Sequence, residues 1–230
     1  DKVNRDILGA QRAGFRAAIK IHHVYDNGEP DEGAEPDAHI ENMLELIPLI
    51  KQYLAQDEQT ARKANGHKVK AIFFDAGDIL YHRPNKEQHF KAFLESHQLH
   101  QPAGFNEEKL RLKDLAFTGK ISRHSYYEQV IRIFGITDPG LIAEGVDAMN
   151  TDDSNAEIIC GTPETIRELK EKGYILGIIT DTAMTLSIKL NWFDQYGFGR
   201  VWDTVISSKE VGARKPDPEM YLRALNQVGV

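Results

Sequence analysis

The chain has 230 residues, 41% of them apolar, and a formal net charge of −7. This suits one large globular domain, or a core with an added lobe. The acidic balance and the absence of a long basic run argue against a nucleic-acid partner. No apolar run approaches the roughly 20 residues that span a bilayer. The single cysteine, Cys160, excludes an internal disulfide.

A reduced, cytoplasmic protein is expected, with Cys160 as a buried small apolar residue. Residues 6–12 are predicted to form a short helix that stops near Gly14. Residues 15–24 carry Ala17-Ala18-Ile19-Lys20-Ile21 and read as a strand. Residues 26–37 are rich in Gly, Pro and acids and read as a loop. Residues 40–56 place Met43, Leu44, Ile47, Ile50 and Leu54 close to helical spacing, and Pro48 predicts a kink or a late start. Residues 57–68 are polar, with Asn65-Gly66 as a breaker, and read as a linker.

Ala71–Phe74 is a short continuous apolar run, the pattern of a buried strand in a parallel sheet. It ends in a carboxylate, Asp75, followed by Ala76-Gly77. Ligands of open α/β sheets bind just beyond the carboxyl ends of the strands, where Asp75 sits. An ordinary strand end with an acidic turn residue fits the same stretch.

Four helices are predicted next, over residues 86–97, 106–117, 122–134 and 138–150. Asp138-Pro139 is a capping residue with proline at the first helical position. Thr162-Pro163-Glu164 starts another helix by the same logic, and Gly173 ends it. A strand ending in Thr180, a helix through Leu186–Trp192, a strand near Val201–Ile206 and a helix capped by Asp217-Pro218 complete the chain. Strands alternating with helices at this spacing indicate an α/β fold with a parallel sheet. The nine histidines show no His-x-x-x-His pattern, so packing or solvated roles are expected rather than a zinc site.

The carboxylate of Asp75, the hydroxyl of Thr180 in Gly177-Ile-Ile-Thr-Asp181, and the lysine of Lys215-Pro-Asp-Pro-Glu-Met-Tyr221 come in the order of motifs one to three of the haloacid dehalogenase (HAD) superfamily. The chain resembles that family. A fourth motif belongs after the lysine and its helix. Here a similar stretch, Asp1-Lys-Val-Asn-Arg-Asp6 followed by Gly9-Ala10, opens the chain instead. The resemblance therefore implies a circularly permuted HAD domain opened at motif four, with the strand before Asp1 missing. In the family that strand lies between those of residues 71–74 and 15–24. The chain ends are accordingly expected about 15–25 Å apart, the length of one strand.

The resemblance implies a Rossmann-like parallel-sheet core with a separate all-helical cap. The core would comprise residues 1–56, 69–82 and 157–230, the polar linker 57–68, and the cap 83–156. The implied reaction is Mg²⁺-dependent hydrolysis of a small phosphorylated substrate. Asp75 would be the nucleophile, forming an aspartyl-phosphate. Asp75, Asp1 and the backbone carbonyl of Gly77 would hold Mg²⁺. Asp6 would act from behind the metal, Thr180 would hold a phosphoryl oxygen, and Lys215 would offset charge between Asp75 and the phosphoryl group.

One position departs from the pattern. HAD phosphatases usually carry an Asp two residues after the nucleophile as general acid, and here that residue is Gly77. Asp78, one residue on, faces the other way and reads as a turn residue. Losing a general acid costs about 10²–10⁴ in rate. Two alternatives stand beside the phosphatase: a 2-haloacid dehalogenase, whose halide leaves without a proton, and a non-catalytic binding protein on a HAD scaffold.

Overall fold

The computed structural model describes residues 3–22, 34–61 and 69–230. Its first part contains helix α1 (Val3–Arg12), strands β1 (Ile19–Ile21) and β2 (Ala38–Ile40), and a 3-10 turn (Met43–Glu45) leading into α2 (Leu46–Ala61). Next come β3 (Ala71–Phe74), β4 (Tyr81–His82), α3 (Gln88–Ser96), α4 (Phe105–Phe117), α5 (Arg123–Ile133), α6 (Pro139–Ser154) and β5 (Glu157–Ile158). The last part holds α7 (Thr162–Glu171), β6 (Ile175–Thr180), α8 (Leu186–Asp194), β7 (Thr204–Ser207), a single turn α9 (Ser208–Val211) and α10 (Pro218–Val228).

β3, β6 and β7 form a parallel sheet in that order, with Phe74 opposite Ile178 and Thr180 opposite Ser207. Successive strand residues point to opposite faces. Leu176 and Ile178 pack with Met43, Leu46, Ile166 and Leu169 of the 3-10 turn, α2 and α7. Ile179 packs on the other face with Ile7, Ala10, Met220 and Ala224 of α1 and α10. A strand covered on both faces has to be apolar throughout, which is why the pattern of β6 does not alternate. This is the expected α/β, Rossmann-like architecture.

β1 and β2 form a separate parallel pair, Ile19 opposite Ala38 and Ile21 opposite Ile40. Among the described residues β3 pairs with β6 alone. Ala71, Ile72 and Phe73 keep partial exposure, whereas Leu176 to Thr180 are buried. A cavity of about 470 Å³ lies between β3 and β1, lined by Phe15, Ile19, Ile21, Ile72 and Phe74 among others.

Helices α3 to α6 enclose an apolar cluster of their own, centred on Phe90, Phe93, Leu112, Val130, Ile131 and Val146. The short antiparallel pair β4–β5 joins this block to the sheet, with Tyr81 opposite Ile158. Asp152 of α6 ties the block together. Its carboxylate, buried in α6, accepts the backbone N–H groups of His89 and Phe90, both at 2.9 Å, and contacts the His89 ring.

Several local expectations need correction. α2 runs to Ala61, past the expected linker start, and Pro48 sits in its first turn, where a missing N–H costs nothing. Residues 38–40 are a strand of three residues, too short for its period to register. Thr162 is the first residue of α7 rather than its cap; Gly161, at φ 81°, holds the cap position. Cys160 is exposed. No helix among the described residues is long and apolar enough to cross a membrane.

Replacing Asp152 with Ala should strand the amide groups of His89 and Phe90 in the first turn of α3, the second of them buried, and destabilise the protein by about 1–3 kcal/mol. Urea unfolding at neutral pH reads this as a lower midpoint at unchanged slope. An unchanged midpoint would mean that the carboxylate does not fasten α3 to α6.

Candidate active site

Asp75 follows the last residue of β3, Thr180 is the last residue of β6, and both lie at the carboxyl edge of the sheet. Lys215 comes to the same place from the loop before α10. Its ammonium is 2.7 Å from Asp75 Oδ1, in still closer contact with Asp6 Oδ1, and donates to the Ile179 carbonyl at 3.1 Å. Its backbone N–H donates to Asp181 Oδ1 at 3.1 Å, so both ends of the residue are held by the end of β6. Only 3% of the Lys215 side chain and 13% of the Asp75 side chain reach solvent.

Asp6 arrives from α1, some two hundred residues away in the chain. Two contacts bring it there. The Tyr221 hydroxyl donates to the Arg5 carbonyl at 3.0 Å. Gly9 lets α1 lie flat on the Tyr221 ring, because a Cβ there would stand 2.3 Å from ring atoms. The carboxylates then share one ammonium. Burial pushes the Asp6 pKa up to about 6; Lys215 pulls it down and the Asp75 charge pushes it up again. Burial lowers the Lys215 pKa, but Asp6, Asp75 and Asp181 outweigh it and hold that pKa above the ordinary lysine value.

Thr180 is buried, and its Oγ1 accepts from Lys189 Nζ at 3.4 Å. A hydroxyl that accepts from a cation keeps its own hydrogen free to donate elsewhere. Gly77 lies in a tight turn, bridged to Tyr81, with open space where a side chain would project: a Cβ would meet only the Tyr81 hydroxyl, at 3.8 Å. Asp78 adopts φ 59° in that turn, and its carboxylate pairs with Lys86 at 3.2 Å. A second cavity, of about 500 Å³, opens over these groups, with Asp75, Gly77, Thr180 and Lys215 on one side and side chains of α3 to α6 on the other.

Asp75, Asp6, Thr180, Lys215 and Gly77 thus converge, and Asp1 lies outside the described residues. Sequence reading passed over Asp181, although it stands next to Thr180. Its side chain is 7% exposed, and it binds Arg5 at 3.2 Å and Arg214 at 3.4 Å as well as the backbone of Lys215. Lys189 was missed too; a lone lysine on a helix carries no sign of being buried.

The sequence pattern described as "Haloacid dehalogenase-like hydrolase" matches residues 103–230. The chain belongs to the haloacid dehalogenase-like hydrolase family. It is therefore an enzyme of the hydrolase class. A glyceraldehyde 3-phosphate phosphatase of Methanothermobacter thermautotrophicus is 30% identical over 171 residues, 70% of this chain and 72% of that one. A protein of the same name from Methanocaldococcus jannaschii is 29% identical over 179 residues, with the same shares. Pyrophosphatase PpaX of Bacillus velezensis is 41% identical over 69 residues, 29% of this chain and 30% of that one. A solved 2-haloacid dehalogenase of Pseudomonas syringae pv. tomato is similar in fold, with a TM-score of 0.52 and 20% identity over 70% of this HAD chain and 74% of that one.

The Asp6 pKa has a consequence for stability. The folded value, about 6, lies above the ordinary 3.8, so the protonated carboxyl favours the fold below about pH 4, and that contribution is lost as pH rises through 6. With 27% of the side chain exposed, screening limits the loss to about 1–2 kcal/mol. Urea unfolding in chelator between pH 4 and 7 should record it, and Asp6→Asn should flatten the profile. Identical slopes in parent and variant would assign the pH dependence to other groups.

Proposed function

We propose that this HAD hydrolase is a phosphatase that cleaves small phosphate monoesters through a phosphoaspartate on Asp75. The observation that carries the reading is the Lys215 ammonium held between Asp75 and Asp6 at the carboxyl edge of the sheet, under a cavity that also reaches Thr180. The phosphatase names of the relatives in the preceding section favour phosphate over halide chemistry.

In the proposed reaction an Asp75 oxygen attacks phosphorus, and the bond from phosphorus to the ester oxygen breaks. The leaving oxygen takes its proton from solvent, since Gly77 offers none. Thr180 donates its hydroxyl hydrogen to a phosphoryl oxygen, and Lys215 offsets charge at Asp75. Water then attacks phosphorus and the Asp75–phosphorus link breaks. Both hydrogens of that water end on orthophosphate, and the carboxylate is restored.

The donor set suits Mg²⁺. Two carboxylates already share one ammonium, so a phosphate dianion needs a further cation, and the available donors are oxygens. Asp75 and the Gly77 carbonyl would hold it, with Asp1 as a further ligand. Mg²⁺ takes one or two carboxylates and leaves its other positions to water and substrate. When bound, Mg²⁺ supplies charge neutralisation between Asp75 and the phosphoryl oxygens.

Residues 83–156 would act as a cap that closes over the cavity and excludes water. Residues 1–56 would be the fourth-motif half of the core in permuted order, 57–68 the join, and 69–82 with 157–230 the remainder. The contact of Asp6 with Lys215 supports the permuted order. The cytoplasm is the proposed location.

Rates on p-nitrophenyl phosphate and on an alkyl phosphate test the reading in parent, Asp75→Asn and Gly77→Asp proteins. Asp75→Asn should abolish both activities, because an amide is not a competent nucleophile. Gly77→Asp fits the open space beside Tyr81 and should raise the alkyl rate by up to about 10²–10⁴, with a smaller effect on the aryl ester. Activity that survives Asp75→Asn unchanged would end the phosphoaspartate reading.

A further inference from the structure

Lys109 and Lys113 of α4 and Arg214 of the loop before Lys215 line one wall of the active-site cavity, and Arg5 of α1 lines it beside them. Arg5 and Arg214 share Asp181, Arg214 also holds Asp114 at 3.1 Å, and Lys109 is paired with Glu87. Lys113 makes no ion pair or hydrogen bond among the described residues. Its ammonium stands 5.4 Å from the centre of the Phe117 ring, and the Arg214 guanidinium stands 5.0 Å from the same ring. Arg5, Arg214 and Lys109 thus each have a carboxylate partner, and Lys113 has none among the described residues. Burial, then the charges of Arg214, Arg5 and Lys109, hold the Lys113 pKa below the ordinary lysine value; Glu87, already paired with Lys109, acts on it least.

A half-buried ammonium packed among other cations is costly unless an anion joins it. All four cations line the same cavity as Asp75, and its volume of about 500 Å³ suits one small molecule. We propose that Lys113, flanked by Arg5 and Arg214, receives a second anionic group carried by the leaving part of the substrate. The preferred substrates are then small phosphate esters or anhydrides that bear a carboxylate or a second phosphate beyond the scissile bond. This rests on the phosphatase reading and narrows it. A neutral leaving group of the same size leaves the Lys113 charge uncompensated, and a site built for a charged group discriminates strongly against such an analogue.

The test compares 2-phosphoglycolate and pyrophosphate with 2-hydroxyethyl phosphate, which differs from the first only in carrying an alcohol for the carboxylate. In the parent protein, kcat/KM should favour 2-phosphoglycolate over 2-hydroxyethyl phosphate by about tenfold or more, or should favour pyrophosphate. Because the phosphate of pyrophosphate leaves more readily than an alcohol, a preference for it counts only where Lys113→Met removes it. The two anionic arms identify whether carboxylate or phosphate is preferred. Lys113→Met should cut that preference about tenfold, and Lys113→Arg should keep it. No preference in the parent, or an equal fall on all three compounds in Lys113→Met, overturns the proposal. Calorimetric binding of 3-phosphonopropionate against propylphosphonate judges the site without turnover. Tighter binding of the carboxylate, weakened in Lys113→Met, supports the anion site even if no ester is hydrolysed, a result that would fell only the phosphatase reading. Equal binding of the two phosphonates overturns the anion site whatever the turnover.

Discussion

The active site depends on the placement of one ammonium. Lys215 has three N–H hydrogens and three acceptors: Asp75, Asp6 and the Ile179 carbonyl. A buried lysine lacking such partners would shed its proton; here the carboxylates keep it charged. The rest of the site follows from satisfying it. β6 must end where Ile179 can accept and Asp181 can seize the Lys215 backbone. α1 must lie close enough to α10 to deliver Asp6, which demands a bare Cα at Gly9 against the Tyr221 ring. A glycine inside a helix costs about 1 kcal/mol relative to alanine. The close approach it permits makes the carboxylate–ammonium contact possible.

How much of this was legible depended on whether the signal was local. The buried strands at 71–74 and 175–180 stood out because a strand covered on both faces is apolar at every position. The helix starts at Asp138 and Asp217 were legible because a cap acts within three residues of itself, and both side chains do accept from the first turn. The pairs β1–β2 and β4–β5 were harder. Strands of two or three residues are too short to show a period and exist only through partners far along the chain. Asp75, Thr180, Lys215 and Asp6 could be picked out only as a set, by type and order. Their meeting point is a property of the sheet. Asp181 and Lys113 escaped for the opposite reason: each looks like an ordinary surface charge until the fold places other charges against it.

The arrangement carries an evident cost at the sheet. β3 holds Asp75, the proposed nucleophile, just beyond its end, yet its backbone pairs with β6 alone among the described residues, and Ile72 and Phe73 stay partly exposed. A strand edge beside an apolar cavity contributes less than a central strand. The site is kept in register from the other side. Four backbone pairs tie β3 to β6, and β6 is fastened to β7 through Thr180 and Ser207. The groups that must stay fixed relative to one another, Asp75, Thr180 and Lys215, therefore hang on the well-buried half of the sheet. Asp6 alone comes through α1 and its contact with Tyr221.

That division bears on where a substrate's charge can be met. Every hydrogen of the Lys215 ammonium already has a protein acceptor, so an incoming phosphate would have to share Lys215 with Asp75 and Asp6. Lys189 stands behind Thr180, with its ammonium on the hydroxyl and 5.5 Å from the Tyr81 ring, and pairs with no carboxylate among the described residues. Arg214 is divided between Asp181 and Asp114. On the sheet side Lys215 and Arg214 are thus paired with carboxylates before any ligand arrives, and Lys189 does not line the cavity. Across the cavity, on α4, Lys113 has no carboxylate partner among the described residues. An anion bound there would be met from α4 rather than from the sheet, whose cations are held by Asp75, Asp6, Asp181 and Asp114.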